Sequence, residues 1–151
     1  MIINIIDTNT LQGSWDGGIG LPQFMPSSYL DYAISNTQEY PNLFKLEDAI
    51  LSIEHYLVQH GWHTGHPIAI QVPSTPHIEQ LMNKKYELEC TPSICPTETT
   101  YIPTKIVKLE LNDETSYWYL YDNYAVIKKY NPRPSYILSA GILARSTENQ
   151  E

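Results

Sequence analysis

The chain has 151 residues, of which 42% are hydrophobic, a length that supports one hydrophobic core rather than two independent catalytic domains. Its formal net charge is −8 and its nine Lys and Arg residues are scattered, so nucleic acid is not an expected partner. No apolar run reaches the roughly 20 residues of a membrane-spanning helix, and residues 1–7 lack the basic region and cleavage site of an export signal.

A glycine-rich loop and two helices are predicted in the first part of the chain. Residues 13–20 contain four of the seven glycines, which permit positive φ angles and favour a loop. Ser28 stands three residues before Asp31, a spacing typical of a capping box, and predicts the start of a short helix. Over residues 46–60 apolar residues recur every three or four positions, with acidic residues in the first turn and Gly61 at the end. This segment carries the clearest helical pattern.

Residues 66–104 are predicted to be an insertion of short elements. Residues 67–72 alternate as in a short strand, and Thr75-Pro76 is compatible with the start of a helix that extends to Lys84. Residues 91–103 are rich in Pro and Thr, which disfavour regular structure.

The two cysteines of the chain lie inside this insertion. Cys90 and Cys95 form an isolated C-x4-C pair without a second pair or a His at metal-ligand spacing, so no zinc site is predicted. A short-loop disulfide is one interpretation, which requires that the protein is exported. Two free thiols are the alternative.

A small antiparallel sheet and a final helix are predicted in the last third of the chain. Three segments rich in β-forming residues, separated by a turn at residues 112–114, are 105–111, 116–121 and 124–129. The apolar run at residues 136–144 follows two prolines and predicts a C-terminal helix. Residues 146–151 are expected to fray.

Tyrosine and tryptophan dominate the aromatic composition, with twelve Tyr and three Trp against two Phe. Both side chains present a flat apolar face with a polar tip, which suits contact with sugars. The alternative interpretation is that most of them lie at the margins of strands and helices.

Three ordered segments carry a resemblance to a known family. Residues 13–29 read GSWDGGIGLPQFMPSSY, and residues 48–62 contain DAI, YL and HGW. They are followed by the YWY of residues 117–119, then by Tyr130-Asn131 and Tyr136. In order and spacing these segments resemble the membrane-bound lytic murein transglycosylase B family. The resemblance implies an α+β fold: a lysozyme-like helical part, residues 1–65 and 130–151, with a small antiparallel β insertion at residues 66–129.

The resemblance also implies a reaction. The family cleaves the β-1,4 bond between N-acetylmuramic acid and N-acetylglucosamine without water and leaves a 1,6-anhydro sugar. One Glu acts as acid and then as base, while the O6 hydroxyl of the muramic acid is the nucleophile. Because an internal hydroxyl is the attacking group, the second carboxylate that most glycosidases need can be absent.

The catalytic Glu of the family is expected to be absent from this chain. In the family it lies several tens of residues before the GS segment, whereas only twelve residues precede Gly13 and none of them is Glu. The chain is therefore predicted to be a C-terminal portion of the catalytic domain. Five other glutamates are candidates for the acid, and solvation at the surface is expected for all of them: Glu39, Glu47, Glu54, Glu79 and Glu110.

Three residues of the first two segments match positions that line the family's glycan groove. Ser14 matches the serine whose hydroxyl bonds the catalytic Glu, and Gln23 matches a glutamine that reaches polar groups of the sugar. Tyr56 matches a tyrosine near the acid. The alternatives are turn or capping roles for Ser14 and Gln23, and plain core packing for Tyr56.

The far wall of the groove is predicted from the last segment. Tyr130, Asn131 and Tyr136 match a cluster whose phenol and amide groups can bond acetamido sugars while the rings pack on them. Asn131 precedes Pro132, so a turn role is its alternative. Pro132-Arg133-Pro134 departs from the family, which more often has Ser or His there.

No metal or cofactor is predicted. Some family members carry a calcium loop of the EF-hand type between the two helices, with oxygen ligands at alternating positions. The corresponding residues 35–42 are one residue shorter, and Lys45 lies near the position of the closing acid. Calcium binding is therefore expected to be lost.

Three functional hypotheses follow from the resemblance. The parent protein is an active lytic transglycosylase, or the chain is a catalytically inert module that binds peptidoglycan, or it is a remnant with an open groove. In the last case exposed apolar surface could be covered in a homodimer. The family implies glycan strands of peptidoglycan as the partner and a periplasmic or outer-membrane-associated location.

Overall fold

A computed structural model describes residues 13–37, 40–96 and 100–148. The chain forms two compact units, an N-terminal unit up to His60 and a C-terminal unit from Gly61 onward. The final helix belongs to the C-terminal unit by its contacts. The predicted grouping of residues 130–151 with the first helices stays a prediction.

The N-terminal unit contains a loop and two helices. Backbone bridges join Gly13 to Ile19 and Ile19 to Phe24 in the glycine-rich loop. Helix α1 spans Pro26–Tyr32, and its N-cap residue Met25 makes no side-chain capping bond. The predicted serine cap is therefore wrong. Proline at the first helical position starts the helix instead, because its ring fixes φ and the position requires no amide donor.

Helix α2 spans Leu46–Gln59, as the apolar periodicity predicted. Its buried face includes Ala49, Ser52 and Tyr56, at spacings of three and four residues. His60 is the C-cap of the helix, and Gly61 follows with a φ of 92°, a backbone conformation that glycine adopts without a steric penalty.

The segment between the two helices is tied to α2 by polar side chains. The Asp48 carboxylate accepts bonds from the Asn42 amide at 2.8 Å and from the Ser35 hydroxyl at 2.9 Å. The Ser52 hydroxyl accepts from the Ile34 amide at 3.0 Å and donates to the carbonyl of the same residue at 3.2 Å. Both side chains are buried, so these bonds satisfy polar groups that water does not reach.

The C-terminal unit is built on a four-stranded antiparallel sheet in the order β1-β4-β3-β2. The strands are β1 Ala69–Val72, β2 Glu87–Glu89, β3 Lys105–Leu111 and β4 Glu114–Leu120. Strands β3 and β4 form the predicted hairpin. Asn112 and Asp113 occupy its turn with φ values of 50° and 65°, the left-handed geometry that two-residue hairpins require. The sequence pattern did not predict β2.

The C-terminal unit also contains three helices, of which the first and the last begin with proline. Helix α3 spans Pro76–Leu81, and the Thr75 hydroxyl caps it by accepting a hydrogen bond from the Ile78 amide at 3.2 Å. Helix α5 spans Pro134–Glu148, so it is longer at both ends than the predicted segment and continues past Ser146, from which fraying stays a prediction. Pro134 at its first turn is compatible with the helix for the same reason as Pro26.

Helix α4, Asp122–Tyr130, replaces a strand that the sequence predicted at residues 124–129. Its buried residues Asn123, Val126 and Ile127 are spaced three and four apart, which places them on one helical face. Asp122 lies in the first turn and two lysines lie in the last, an arrangement that complements the helix dipole. Burial of this face outweighs the β propensity of the individual residues.

A disulfide lies beside the core of the C-terminal unit. Cys90 and Cys95 are bonded, with Cα atoms 5.3 Å apart. Cys95 is buried in a cluster with Ile78, Met82, Ile106 and Tyr117, and Cys90 packs against that cluster. The disulfide alternative left open by the sequence is the one found.

Breaking this disulfide is expected to lower the free energy of unfolding of the C-terminal unit by about 2 kcal/mol, the entropic contribution of so short a loop. Urea denaturation followed by tryptophan fluorescence, with and without a reducing agent, measures the change. The Cys90→Ala/Cys95→Ala double variant is the control, because its midpoint should not respond to the reducing agent. Equal midpoints for the oxidised and reduced wild-type chain would contradict the prediction.

Candidate functional site

The glycine-rich loop holds Ser14 in a closed turn. The Gly17 amide donates to the Ser14 carbonyl at 2.9 Å, and the Ser14 amide donates to the Gly18 carbonyl at 3.0 Å. The Ser14 hydroxyl oxygen accepts the Gly18 amide at 3.0 Å. These local bonds are the turn role that was the alternative for Ser14. They also fix the direction of its hydroxyl group.

Gln23 lies in the same loop with an uncommon backbone conformation. Its φ is 54°, a region that non-glycine residues rarely occupy. Its side-chain amide donates to the Gly20 carbonyl at 2.8 Å, and its backbone amide donates to the same oxygen at 3.2 Å. These two hydrogen bonds hold the Gln23 side chain in place. They leave its amide oxygen on the side of Gly18.

Gly18 marks the point where the polar atoms of Ser14 and Gln23 converge. A Cβ atom at this glycine would lie 2.8 Å from the Gln23 side-chain oxygen and 2.8 Å from the Ser14 hydroxyl oxygen. Real Cβ atoms do not approach other atoms so closely, so a larger residue here would displace one or both of these side-chain oxygens. A hydroxyl group and a carboxamide oxygen therefore share one small polar site in the N-terminal unit.

Asp16 is part of this site and was not singled out from the sequence. Its carboxylate accepts a hydrogen bond from the Ser14 hydroxyl group. The sequence pattern that could have indicated Asp16 is an Asp two residues after a Ser in a glycine-rich turn. In such turns short polar side chains bond each other or the local backbone.

Tyr56 lies beneath this loop in the N-terminal unit. It is only 7% exposed, and its ring lies 5.6 Å from Phe24, 4.9 Å from Tyr32 and 4.0 Å from His60, centroid to centroid. Burial, with a smaller contribution from Tyr32, raises the pKa of the Tyr56 phenol above 10.0, so the group is neutral at pH 7. The ring therefore packs among other buried side chains, as the alternative for Tyr56 has it, and its groove role stays a prediction. Through Phe24 it supports the residue next to Gln23.

Tyr130, Asn131 and Tyr136 lie together at the junction of α4 and α5 in the C-terminal unit. The two tyrosine rings are 6.4 Å apart, with planes inclined by 17°. The Asn131 side-chain oxygen accepts a hydrogen bond from the Arg133 backbone amide at 3.1 Å. The backbone amide of Asn131 caps α4 by donating to the Ile127 carbonyl at 2.9 Å. Asn131 thus has the turn role that was its alternative. Tyr136 is 43% exposed and can contact a ligand.

Of the five candidate glutamates, the four in the described ranges lie outside both clusters. Each of those in the described ranges is exposed, as predicted: Glu47, Glu54, Glu79 and Glu110. Glu79 accepts a bond from Ser74, and Glu110 pairs with Lys108 at 2.8 Å. Glu39 lies outside the described residues.

The sequence profile of the transglycosylase SLT domain family matches residues 3–145. The chain belongs to this family. A curated relative, the membrane-bound lytic murein transglycosylase B of Escherichia coli (strain K12), is 28% identical over 146 residues. That alignment covers 93% of this chain and 40% of the relative.

Solved structures of the family share the fold. The Escherichia coli lytic transglycosylase SLT35 in complex with bulgecin A superposes with a TM-score of 0.73 at 25% identity, covering 95% of this chain and 48% of that one. The soluble lytic transglycosylase SltB1 from Pseudomonas aeruginosa gives 0.70 at 29% identity, covering 95% and 52%. The predicted α+β fold, lysozyme-like with a small antiparallel sheet, is confirmed. The chain spans about half the length of the relatives it matches.

Two further features of this family member concern metals and membranes. Within residues 13–37, 40–96 and 100–148, no group of three or more His, Cys, Asp or Glu side chains could hold a metal ion. Across the same ranges, the helices are too short or too polar to cross a membrane.

Proposed function

We propose that this chain forms the glycan-binding part of a lytic transglycosylase that acts on peptidoglycan. The observation that carries the proposal is the convergence of the Ser14 hydroxyl group and the Gln23 carboxamide on Gly18 within a closed turn. Hydroxyl and carboxamide groups are the donors and acceptors that match the acetamido and hydroxyl groups of amino sugars. The reaction proposed for the parent protein is non-hydrolytic cleavage between N-acetylmuramic acid and N-acetylglucosamine, which leaves 1,6-anhydro ends.

The six residues matched to the family have two kinds of proposed roles. In the N-terminal unit, Ser14 and Gln23 bond polar groups of a sugar. In the C-terminal unit, Tyr130 and Tyr136 offer ring faces to a sugar. Asn131 orders the start of α5, and Tyr56 supports the loop from below through Phe24. The contribution of Tyr56 is therefore to the position of its neighbours.

A catalytically inert glycan-binding module is the second candidate function. The exposure of Glu47, Glu54, Glu79 and Glu110 favours it for this chain, because an exposed carboxyl group lacks the burial that retains a proton at neutral pH. We propose that the chain alone binds peptidoglycan and releases no anhydro sugar.

The proposed location is the periplasm or the outer membrane. The disulfide between Cys90 and Cys95 supports it, since such bonds persist in oxidising compartments.

A homodimer stays a proposal as well. It is supported by apolar residues of α2 that are more than half exposed: Leu46, Ile50 and Val58.

The proposal is tested with the purified chain and isolated sacculi. The chain is expected to sediment with the sacculi, and mass spectrometry of the soluble fraction should find no 1,6-anhydro-muropeptides above a heat-killed control. Anhydro products would show that a carboxyl group in this chain catalyses cleavage, and the inert reading would be wrong. Failure to sediment would contradict glycan binding.

Gln23→Ala and Ser14→Ala are each expected to weaken binding to chitooligosaccharides about tenfold, the effect of losing one or two hydrogen bonds in a site partly shielded from water. Isothermal titration calorimetry measures the change. Matched controls are the exposed Gln59→Ala on α2 and Ser27→Ala on α1, which should bind like the wild type. Equal affinity of all four variants for chitooligosaccharides would show that this loop does not bind the glycan.

A further inference from the structure

Trp15 stands out among the three tryptophans of the chain. Its side chain is fully exposed, with a relative accessibility of 103%, whereas Trp62 and Trp118 are partly buried. Single exposed apolar residues are ordinary on protein surfaces, but an indole is the largest of them and usually buries most of its area. The exposed ring of Trp15 belongs to the same loop as Ser14 and Gly18, and it has no role in the function proposed above.

The backbone that carries Trp15 is fixed. Trp15 and Asp16 occupy the two central positions of the turn that the Gly17 amide closes on the Ser14 carbonyl at 2.9 Å. The bonds between Ser14 and Gly18, at 3.0 Å for each of the two amides, hold the turn from inside. A ligand that binds here has little backbone entropy to remove, which favours affinity.

Asp16 adds the complementary polar group. Its carboxylate accepts a hydrogen bond from the Ser14 hydroxyl group, and two carboxylate oxygens together offer about four acceptor positions. Sugar hydroxyl groups are donors of the required kind, and bonds to an ionised acceptor are stronger than neutral ones. Trp15 and Asp16 are consecutive, with Cα atoms about 3.8 Å apart, so both side chains begin within the span of one sugar residue.

We propose that Trp15 and Asp16 form a subsite for a neutral N-acetylhexosamine residue, with the indole packed on the sugar face and the carboxylate bonded to its hydroxyl groups. This inference rests on the proposed glycan-binding function and names two residues that the family match did not assign. The negative charge of Asp16 sets the specificity. A sugar with a free carboxylate, such as N-acetylmuramic acid without its peptide, is repelled, so among peptide-free sugars the subsite prefers N-acetylglucosamine.

The role of Trp15 is tested by fluorescence. In a Trp62→Phe/Trp118→Phe variant the remaining emission comes from Trp15, and chitotetraose is expected to shift or quench it. In Trp15→Phe the ligand-induced change should be lost. Trp15→Ala is expected to bind chitotetraose about tenfold more weakly, as for loss of one stacked ring, while Trp118→Phe stays within about twofold of wild type.

The role of Asp16 is tested by ligand discrimination. Wild type is expected to prefer chitobiose over a disaccharide that contains N-acetylmuramic acid, and Asp16→Asn should reduce this preference about threefold, the effect of removing one like-charge pair in water. Asp31→Asn, an exposed acid on α1, is the control and should leave the preference unchanged. An unaltered preference in Asp16→Asn would overturn the assignment of Asp16.

The outcomes separate this inference from the proposed function. Binding of chitotetraose without any response from Trp15 would overturn the subsite and leave glycan binding intact. Absence of binding to any glycan would contradict both. Circular dichroism checks that each variant is folded. If the double tryptophan variant does not fold, the difference between wild type and Trp15→Phe in ligand-induced emission decides the question alone.

Discussion

Replacing Asn123 with alanine is expected to lower the free energy of unfolding of the C-terminal unit by about 4 kcal/mol. Asn123 is fully buried on α4, with 0% of its surface exposed. Its side-chain amide donates to the carbonyls of His63 and His66 at 2.9 and 2.8 Å, and its oxygen accepts the His63 amide at 2.9 Å. Alanine would leave three backbone groups without these partners, and each unsatisfied buried group costs about 1–3 kcal/mol.

Urea denaturation followed by circular dichroism measures this loss. Asn123→Asp is the informative companion, because it keeps the shape of the side chain, removes both donated bonds and buries a charge. It should be at least as destabilising as alanine. Asn83→Ala, at an exposed position after α3, is the control and should change stability by less than about 0.5 kcal/mol. A loss below about 1 kcal/mol for Asn123→Ala would show that water replaces the missing bonds.

Replacing Asp48 with alanine is expected to lower the free energy of unfolding of the N-terminal unit by about 3 kcal/mol at pH 7. Asp48 is 5% exposed and fastens the segment before α2 through its bonds to the Asn42 amide and the Ser35 hydroxyl group. Hydrogen bonds to an ionised group contribute more than neutral ones. Asp48→Asn should lose most of the stabilisation that these hydrogen bonds give to the N-terminal unit. Glu54→Gln, on the exposed side of α2, is the control and should leave the free energy of unfolding unchanged.

The contribution of Asp48 is expected to depend on pH in a defined direction. The Asn42 amide bond, more than the Ser35 bond, lowers the pKa of Asp48 below 3.8, although burial opposes this shift. A group whose pKa is lower in the folded state stabilises the fold fully above its unfolded pKa, and the effect is lost as the pH falls through the folded value. The difference in stability between wild type and Asp48→Asn should therefore shrink below pH 3.8. A difference that stays constant down to pH 2.5 would contradict this account.

Elements with a strong local pattern were predicted from the sequence. Helix α2 was predicted because its apolar residues recur at helical spacing, and Gly61 marks its end by the conformation it adopts. The β3–β4 hairpin was predicted because Asn112 and Asp113 tolerate the left-handed turn between two alternating segments. In both cases the decisive interactions join residues close together in the chain.

The candidate site was predicted only in part. The motif match selected Ser14 and Gln23, and the structure places their oxygens at one glycine. Asp16 and Trp15 were not selected, because their importance depends on a turn that directs one side chain to Ser14 and leaves the other exposed. The sequence could not distinguish a packing role for Tyr56 from a groove role, since that depends on the rings around it.

The sequence by itself determined the family, helix α2 and the hairpin of this protein, because motifs, periodicity and turn residues act over a few neighbouring positions. Tertiary structure alone decided that residues 122–130 form a helix, since burial of Asn123 against His63 and His66 joins residues about 60 positions apart. It also decided that Asp48 is a buried anchor and that Cys90 is bonded to Cys95. Such outcomes depend on which groups lose contact with water together, and that is a property of the assembled chain.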